Sequence, residues 1–435
     1  MLRPLDREVL RLAVPATAAL AAEPAYVLVD TAIVGRLGTP QLGGLAVAGT
    51  ALLTGHSLFV FLAYGTTATV ARRLGAGDER GAAAAGVTAL WLAAGIGLAL
   101  TVVGLALAGP MVGALGADGA VRPHALTYLR ISLLGVPALL VSLGGMGYLR
   151  GVQDTRTTMV VAVGGATANL GLEVLLVLVL DLGVAGSAWS TVAVQVAVAL
   201  VYGRRVLAAA AALGVHWRPE PQGLRRQARL GGDLFVRTAA LRLSLTMATA
   251  VAARLGVADL GAHAVAFELW SFLALVLDGL AIAGQALVGR LLGAADGDGA
   301  REAGRRLLQW GAGVGLAVGV AVAVLHGVLP DLFTDDPAVV ERARDLLLVV
   351  ALLQPVNGLV FVLDGILIGA GDLRFLALAM VGAMLVFVPA AALVLVLDLG
   401  LAGLWAAVAL LMLVRLAALA RRFVGGGWVV LGLPA

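Results

Sequence analysis

The chain has 435 residues, of which 61% are hydrophobic and 13% are charged, and its mean hydropathy is +1.01. Too few polar residues remain to cover a water-soluble surface, which indicates an integral membrane protein. The absence of cysteine excludes disulfides and thiolate metal sites, and the net charge of +4 does not indicate nucleic-acid binding, because no basic stripe is interleaved with aromatic residues.

Stretches of about 20 apolar residues, long enough to cross a bilayer as helices, predict an all-α membrane protein with twelve transmembrane helices. The first begins after Asp6 and Glu8, so we interpret it as a span and not as a secretory leader. The predicted spans of the first half are 12–35, 44–70, 82–108, 125–148, 157–180 and 185–203. Those of the second half are 231–253, 260–289, 306–328, 345–368, 374–397 and 400–420.

The two halves of the sequence repeat one another. Arg36-Leu37-Gly38 recurs as Arg254-Leu255-Gly256, and Asp154 and Arg156 recur in the same register as Asp372 and Arg374. Six spans in each copy predict a parallel repeat about an axis along the membrane normal. We therefore expect an N-terminal lobe over residues 1–203, a cytoplasmic linker over 204–230 and a C-terminal lobe over 231–435.

Arginine sets the expected orientation, since all 30 basic residues of the chain are arginine. The arginines concentrate at the termini, in the predicted linker and in one set of alternate loops. Because positively charged loops stay in the cytoplasm, this distribution predicts a multi-pass protein of the plasma (cytoplasmic) membrane with both termini cytoplasmic.

Span 1 carries a carboxylate and two prolines. A charge near the bilayer centre costs at least about 2.5 kcal/mol unless it is neutral, paired or hydrated, so Asp30 is a candidate functional residue. Glu23 lies about two helical turns earlier and can share its face. Pro15 and Pro24 remove backbone donors and allow the helix to bend. The alternative is that Asp30 lies at the outer interface and is simply solvated.

Spans 5 and 6 add further oxygen-bearing side chains. Asn169 and Glu173 are four residues apart and share one helix face, and Thr191 and Gln195 have the same spacing in span 6. Such groups suit either a protonatable carboxylate or the coordination of Na⁺. Polar adhesion between helices is the alternative interpretation.

The second half contains three acids that we predict to be buried, namely Glu268, Asp278 and Asp364. The equivalent positions of the first half are Thr50, Val60 and Met146, so the repeat is asymmetric here. Arginines of span 7, including Arg237, are potential partners. Two interpretations stay open: a static polar network, and a second coupling site or a substrate site.

Several runs resemble those of the multidrug and toxic compound extrusion (MATE) transporters over nearly the whole chain. They are Val29-Asp30-Thr31-x-x-Val34-Gly35, Leu149-Arg150-Gly151-x-Gln153-Asp154-Thr155 and Asn169-x-x-x-Glu173. The runs Leu277-Asp278-Gly279 and Leu363-Asp364-Gly365 are similar to the DinF-like branch of that family.

The resemblance implies a MOP-type fold, a V-shaped pair of six-helix lobes that exports organic compounds in exchange for H⁺ or Na⁺ and is not an enzyme. It places a cation-responsive cluster, which is also the candidate Na⁺ site, on Asp30, Asn169, Glu173 and Thr191. The span 5 carboxylate is usually Asp in this family. Glu173 is one methylene longer, so the coordination geometry does not transfer, and H⁺ is favoured slightly.

The sequence thus predicts a secondary active antiporter for small organic, cationic or amphipathic substrates. It is expected to work in the lipid bilayer with no cofactor beyond the coupling ion, no nucleic acid and no obligate protein partner. A flippase for lipid-linked precursors or polysaccharides is the alternative, for which we expect a more cationic central cavity. A channel or a membrane scaffold would not need buried titratable groups in both halves.

Overall fold

The computed structural model describes residues 3–219 and 221–433. Only the backbone of Glu23 is described, so the prediction that Glu23 and Asp30 share a helix face lies outside the described residues. The α-helices of this part are α1 (Pro4–Gly35), α2 (Thr39–Phe59), α3 (Phe61–Gly75), α4 (Glu79–Ala114), α5 (Val121–Gly151), α6 (Thr155–Glu173), α7 (Gly183–Ala212), α8 (Pro221–Leu255), α9 (Val257–Gly293), α10 (Gly297–Leu325), α11 (Pro337–Gly369), α12 (Leu373–Val396) and α13 (Gly400–Val424). A π-helical segment, Val174–Val179, follows α6, and a 3₁₀ turn, Leu329–Leu332, precedes α11.

The predicted all-α fold with twelve spans is confirmed. Twelve helical stretches are long and apolar enough to cross a membrane, where α2 and α3 count as one stretch and α6 with its π segment as another. The described residues contain no strand. Several helices exceed the predicted spans, as α1 does by starting at Pro4. Helical hydrogen bonding continues into polar residues beyond the apolar stretch, so hydropathy alone underestimates helix length.

The repeat is visible in how the helices start. The Asp78 carboxylate caps α4 by accepting the Gly81 backbone N–H at 2.8 Å, and Asp296 caps α10 by accepting that of Gly299 at 2.8 Å. Each carboxylate satisfies a backbone donor that has no partner within the helix. Equivalent residues of the two copies therefore perform the same local task.

The turns repeat as well. Gly38 and Gly256 precede α2 and α9 with φ angles of 133° and 144°, which side chains with a Cβ rarely adopt. Asp181 and Asp398 both have left-handed φ angles, 51° and 50°, in the turns before α7 and α13. Aspartate tolerates this region better than most residues, because its short side chain can hydrogen-bond locally.

The described chain forms two compact units, residues 14–231 and residues 1–13 with 232–435. These limits differ from the predicted lobes, because the first turns of α1 belong to the second unit. There the Glu8 carboxylate accepts from Arg290 at 2.8 Å, and the Asp6 carboxylate accepts from Arg306 at 2.8 Å. The chain passes from one compact unit to the other after Ala13 within α1 and after Gly231 within α8. These two positions are equivalent in the repeat.

The predicted linker 204–230 is mostly helical. Helix α7 continues to Ala212 and α8 already begins at Pro221, so the connection is short. Clustered arginines mark where a helix leaves the apolar region, but arginine and alanine are good helix formers and do not end it.

One helix is central to the packing of each unit. In the unit of residues 14–231, α5 packs against α2, α3, α4 and α7. A Cβ on Gly147 of α5 would lie 2.5 Å from the Ala63 carbonyl oxygen of α3. In the other unit α11 packs against α9, α10 and α13, and a Cβ on Gly369 would lie 2.6 Å from the Gln285 oxygen of α9. Close backbone approach is thus built into both cores.

Candidate ion-coupling site

Asp30 lies in α1 and is buried, with 5% of its surface exposed. The hydroxyl of Ser187, a fully buried residue of α7, donates a hydrogen bond to Asp30 Oδ1. The structure therefore contradicts the alternative interpretation, in which Asp30 is a solvated residue at the membrane interface. Its carboxyl group is instead held by a polar neighbour inside one unit.

Glu173 is the second buried carboxyl group of this site, with 1% of its surface exposed. It is the last residue of α6, directly before the π-helical segment Val174–Val179. Its carboxyl group lies next to that of Asp30, and its Oε1 has no hydrogen-bond partner among the described residues. π-Helical turns are frequent at functional sites, because they change the direction of the side chains around them.

The other two predicted residues join the same cluster. The Asn169 amide donates to Thr191 Oγ1 at 3.3 Å, which connects α6 to α7. Asn169 lies one turn before Glu173, and it is also buried. The structure thus brings together all four residues that the sequence analysis assigned to the cluster.

Sequence reasoning missed two members of the cluster. Tyr128 of α5 is buried and lies beside Asp30, Ser187 and Thr191. Ser187 was recognisable, because Ser187, Thr191 and Gln195 are spaced four residues apart and must share one face of α7. Tyr128 had no such signal, since the neighbours of a single tyrosine in a span depend on how the helices pack.

An apolar cavity of about 460 Å³ opens beside the cluster within the same unit. Residues of α1, α2, α4, α5 and α7 line it, and Tyr26, Phe59 and Tyr128 contribute aromatic rings. Among the described lining residues Asp30 is the only acid, and no arginine is present. The cavity therefore combines an apolar wall with a single carboxyl group, which also belongs to the buried pair.

The MatE family model matches residues 15–175 and 235–393, which includes both copies of the repeat. The chain belongs to the MATE family. It is 33% identical to the Arabidopsis thaliana Protein DETOXIFICATION 44, chloroplastic, over 95% of the chain and 81% of that protein. It is 31% identical to DNA damage-inducible protein F of Escherichia coli (strain K12), over 84% of the chain and 81% of that protein. The resemblance to MATE transporters of the DinF-like branch is thus confirmed.

A solved structure gives the same result for the fold. The outward-facing conformation of a multidrug resistance MATE family transporter of the MOP superfamily superposes with a TM-score of 0.86. That similarity covers 97% of this chain and 95% of the other, at 21% sequence identity. The protein is accordingly a multi-pass membrane transporter of the MATE family and not an enzyme.

The carboxyl pair is specific to the first half of this MATE protein. The position equivalent to Asp30 is Ala248, and the residues equivalent to Glu173 near the end of α12 are Ala390 and Ala391. The scaffold is repeated, but the cluster is present once. An asymmetric polar site on a symmetric scaffold points to a function and not to a requirement of the fold.

Pro15 and Pro24, the predicted helix-bending residues, both lie inside α1, which is one continuous helix from Pro4 to Gly35. Pro24 precedes Asp30 by less than two turns, and its missing N–H leaves a carbonyl one turn earlier without its helical donor. Bending of α1 near Asp30 stays a prediction.

The acids of the second half behave differently from the sequence expectation. Asp364 is buried, but Glu268 is exposed and Asp278 is only half-buried. The prediction of three buried acids is therefore wrong for Glu268 and only partly right for Asp278. A uniformly apolar span does not reveal which of its faces will pack against a neighbour.

Asp364 is bound to two arginines. Its Oδ2 accepts from Arg237 of α8 at 2.5 Å and from Arg415 of α13 at 2.7 Å. The expected partner Arg237 is thus present, whereas Arg415 was missed because it lies far away in the sequence. The three side chains carry a formal charge of +1, which does not attract an organic cation. Of the two interpretations left open for Asp364, the geometry supports the static polar network.

Proposed function

We propose that this MATE protein is a proton-driven antiporter that exports small amphipathic organic cations, with Asp30 and Glu173 as the coupling pair. The observation that carries this proposal is the close approach of these two carboxyl groups, which are both buried and lie next to each other in one unit. The expected setting is the cytoplasmic membrane with both termini in the cytoplasm.

The close approach of the two carboxyl groups favours H⁺ over Na⁺ as the coupling ion. Two ionised carboxylates repel each other in a buried site, so Asp30 and Glu173 are stable side by side when one of them carries a proton and donates it to the other. Sodium coordination would instead require both oxygens to point at the ion as acceptors. Asn169 and Thr191 then serve to hold the neighbouring helices and to keep the pair in position.

The position of Asp30 explains how export could be linked to proton uptake. The same carboxyl group faces the cavity and belongs to the pair. A bound organic cation is stabilised by ionised Asp30, because little water screens the interaction in an apolar cavity. Protonation removes that attraction. Proton and substrate therefore weaken each other's binding, which is the thermodynamic requirement for exchange.

The flippase alternative fits the cavity less well. Anionic lipid-linked precursors would require basic groups, and no arginine is among the described lining residues. The buried arginines Arg237 and Arg415 belong to the other unit and already share Asp364.

Transport in sodium-free proteoliposomes tests the proposal, with ethidium as a permanently charged substrate and an imposed pH gradient. Wild type is expected to move ethidium against its gradient, and Asp30→Asn is expected to reduce the rate to that of empty liposomes. Asp181→Asn is the matched control, since it makes the same chemical change in an exposed turn that asparagine also tolerates. It should transport normally.

Two results would contradict this proposal. Transport by Asp30→Asn at the wild-type rate would remove Asp30 from the coupling pair. Transport by wild type that requires a sodium gradient and ignores the pH gradient would show that Na⁺ is the coupling ion.

A further inference from the structure

A second cavity, of about 430 Å³, lies within residues 14–231 and away from the carboxyl pair. The end of α3, the start of α4, the α7–α8 connection and the first turns of α8 form it. Four arginines line it, namely Arg73, Arg80, Arg218 and Arg226. Its described lining residues include no acid. We refer to it as the arginine cavity.

Neighbouring groups hold three of these arginines in place. Arg73 forms an ion pair with Asp78 at 2.8 Å, and Arg80 donates to the Gly214 carbonyl at 3.3 Å. The Arg218 guanidinium lies 5.1 Å from the centre of the Trp217 ring. Asp78 and Glu79 precede Arg80 in the sequence and Glu220 follows the lining residue Pro219, so the four arginines still outnumber these three acids. The cavity is thus a preorganised basic site and not a set of freely moving side chains.

Two tryptophans lie at the edge of the arginine cavity. The Trp91 indole donates to the Trp217 carbonyl at 2.8 Å, and the two ring centres are 5.7 Å apart. Both side chains are exposed. Exposed tryptophan in a membrane protein is typical of the level of the lipid headgroups, since the ring is apolar and its N–H is polar. Val87 and Leu230 give the cavity an apolar side.

We propose that the arginine cavity binds the headgroup of an anionic phospholipid. The ligand is expected to be anionic, because the described lining residues include four arginines and no acid, and guanidinium groups bind phosphate oxygens well. A lipid fits better than a soluble phosphate compound, because the tryptophan pair and the apolar side would contact its acyl chains. Basic pockets between membrane helices are known to select such headgroups.

Binding in the arginine cavity would affect α8, the helix within which the chain passes from one compact unit to the other. Gln227 of α8 already donates to Thr66 of α3 at 3.3 Å, and α8 enters the other unit at Gly232. Arg226 precedes this contact directly. A bound headgroup would therefore add a further connection between the start of α8 and helices α3 and α4.

The test uses the full-length protein, purified and delipidated in detergent, and native mass spectrometry to count bound lipids. Phosphatidylglycerol and phosphatidylcholine are titrated separately, and glycerol phosphate is the soluble probe. The variant R218Q/R226Q removes two arginines of the cavity. The matched control R204Q/R205Q removes two exposed arginines of α7 that do not line it. The variant R218K/R226K keeps the charge and reports on folding.

Wild type is expected to bind one phosphatidylglycerol in preference to phosphatidylcholine. R218Q/R226Q should weaken that binding about tenfold or more, since each basic group near a lipid surface contributes substantially, while the control and the lysine pair keep the preference. Equal losses in the two glutamine variants would overturn the site, because general charge would then explain the binding. Glycerol phosphate binding as tightly as phosphatidylglycerol would overturn the assignment to a lipid.

Discussion

Asp364→Asn removes the carboxylate that Arg237 and Arg415 share. These three side chains together have a formal charge of +1, which the variant raises to +2. All three side chains are largely buried, with exposed fractions of 7%, 12% and 5%. Removing one partner of a buried ion pair costs about 3–5 kcal/mol, because the remaining charges lose that partner away from water. We expect a loss of stability of this size.

Arg415→Met provides the comparison that separates charge balance from simple loss of contacts. It leaves Asp364 paired with Arg237 at 2.5 Å and gives the pair a formal charge of zero. Replacing a buried charge by an apolar side chain of similar length is often close to neutral when the remaining charges stay paired. Arg415→Met should therefore destabilise the protein less than Asp364→Asn does.

The assay is the free energy of unfolding in detergent micelles, followed by tryptophan fluorescence during titration with a denaturing detergent. Glu268→Gln is the control, since it removes a carboxylate at an exposed position and should change stability by no more than about 0.5 kcal/mol. The reasoning would be refuted if Asp364→Asn were as stable as Glu268→Gln and bound permanently charged substrates at least about tenfold more weakly, with neutral substrates unaffected. Asp364 would then be a substrate-binding acid.

Three further predictions concern the first unit. Glu173→Gln should change the pH profile of export, because the variant can no longer share a proton between two carboxyl groups; an unchanged profile in proteoliposomes would exclude a shared proton. Gly147→Ala should destabilise the protein by about 1–3 kcal/mol, since its Cβ would lie 2.5 Å from the Ala63 oxygen. Gly164→Ala, where nothing lies within 4 Å, should be neutral or stabilise by up to about 1 kcal/mol; equal thermal midpoints for the two alanine variants would contradict the close packing of α3 and α5.

Much of this protein could be predicted from local features of the chain. The length of an apolar stretch determines whether a helix can cross a bilayer, so the twelve spans could be found without tertiary information. Register between the copies identified the repeat, because equivalent turns need the same residues, such as Gly38 and Gly256. Asn169 and Glu173 could be assigned to one face because helical periodicity alone places them there.

What the sequence could not decide depends on which helix faces meet. In water an apolar face identifies the packed side of a helix, but in a membrane the lipid-facing side is apolar too, and this signal is weak. For that reason Glu268 was expected to be buried and is exposed. For the same reason the pairing of Asp364 with Arg415, the contacts of Tyr128 and the change of unit inside α1 and α8 followed only from the tertiary structure.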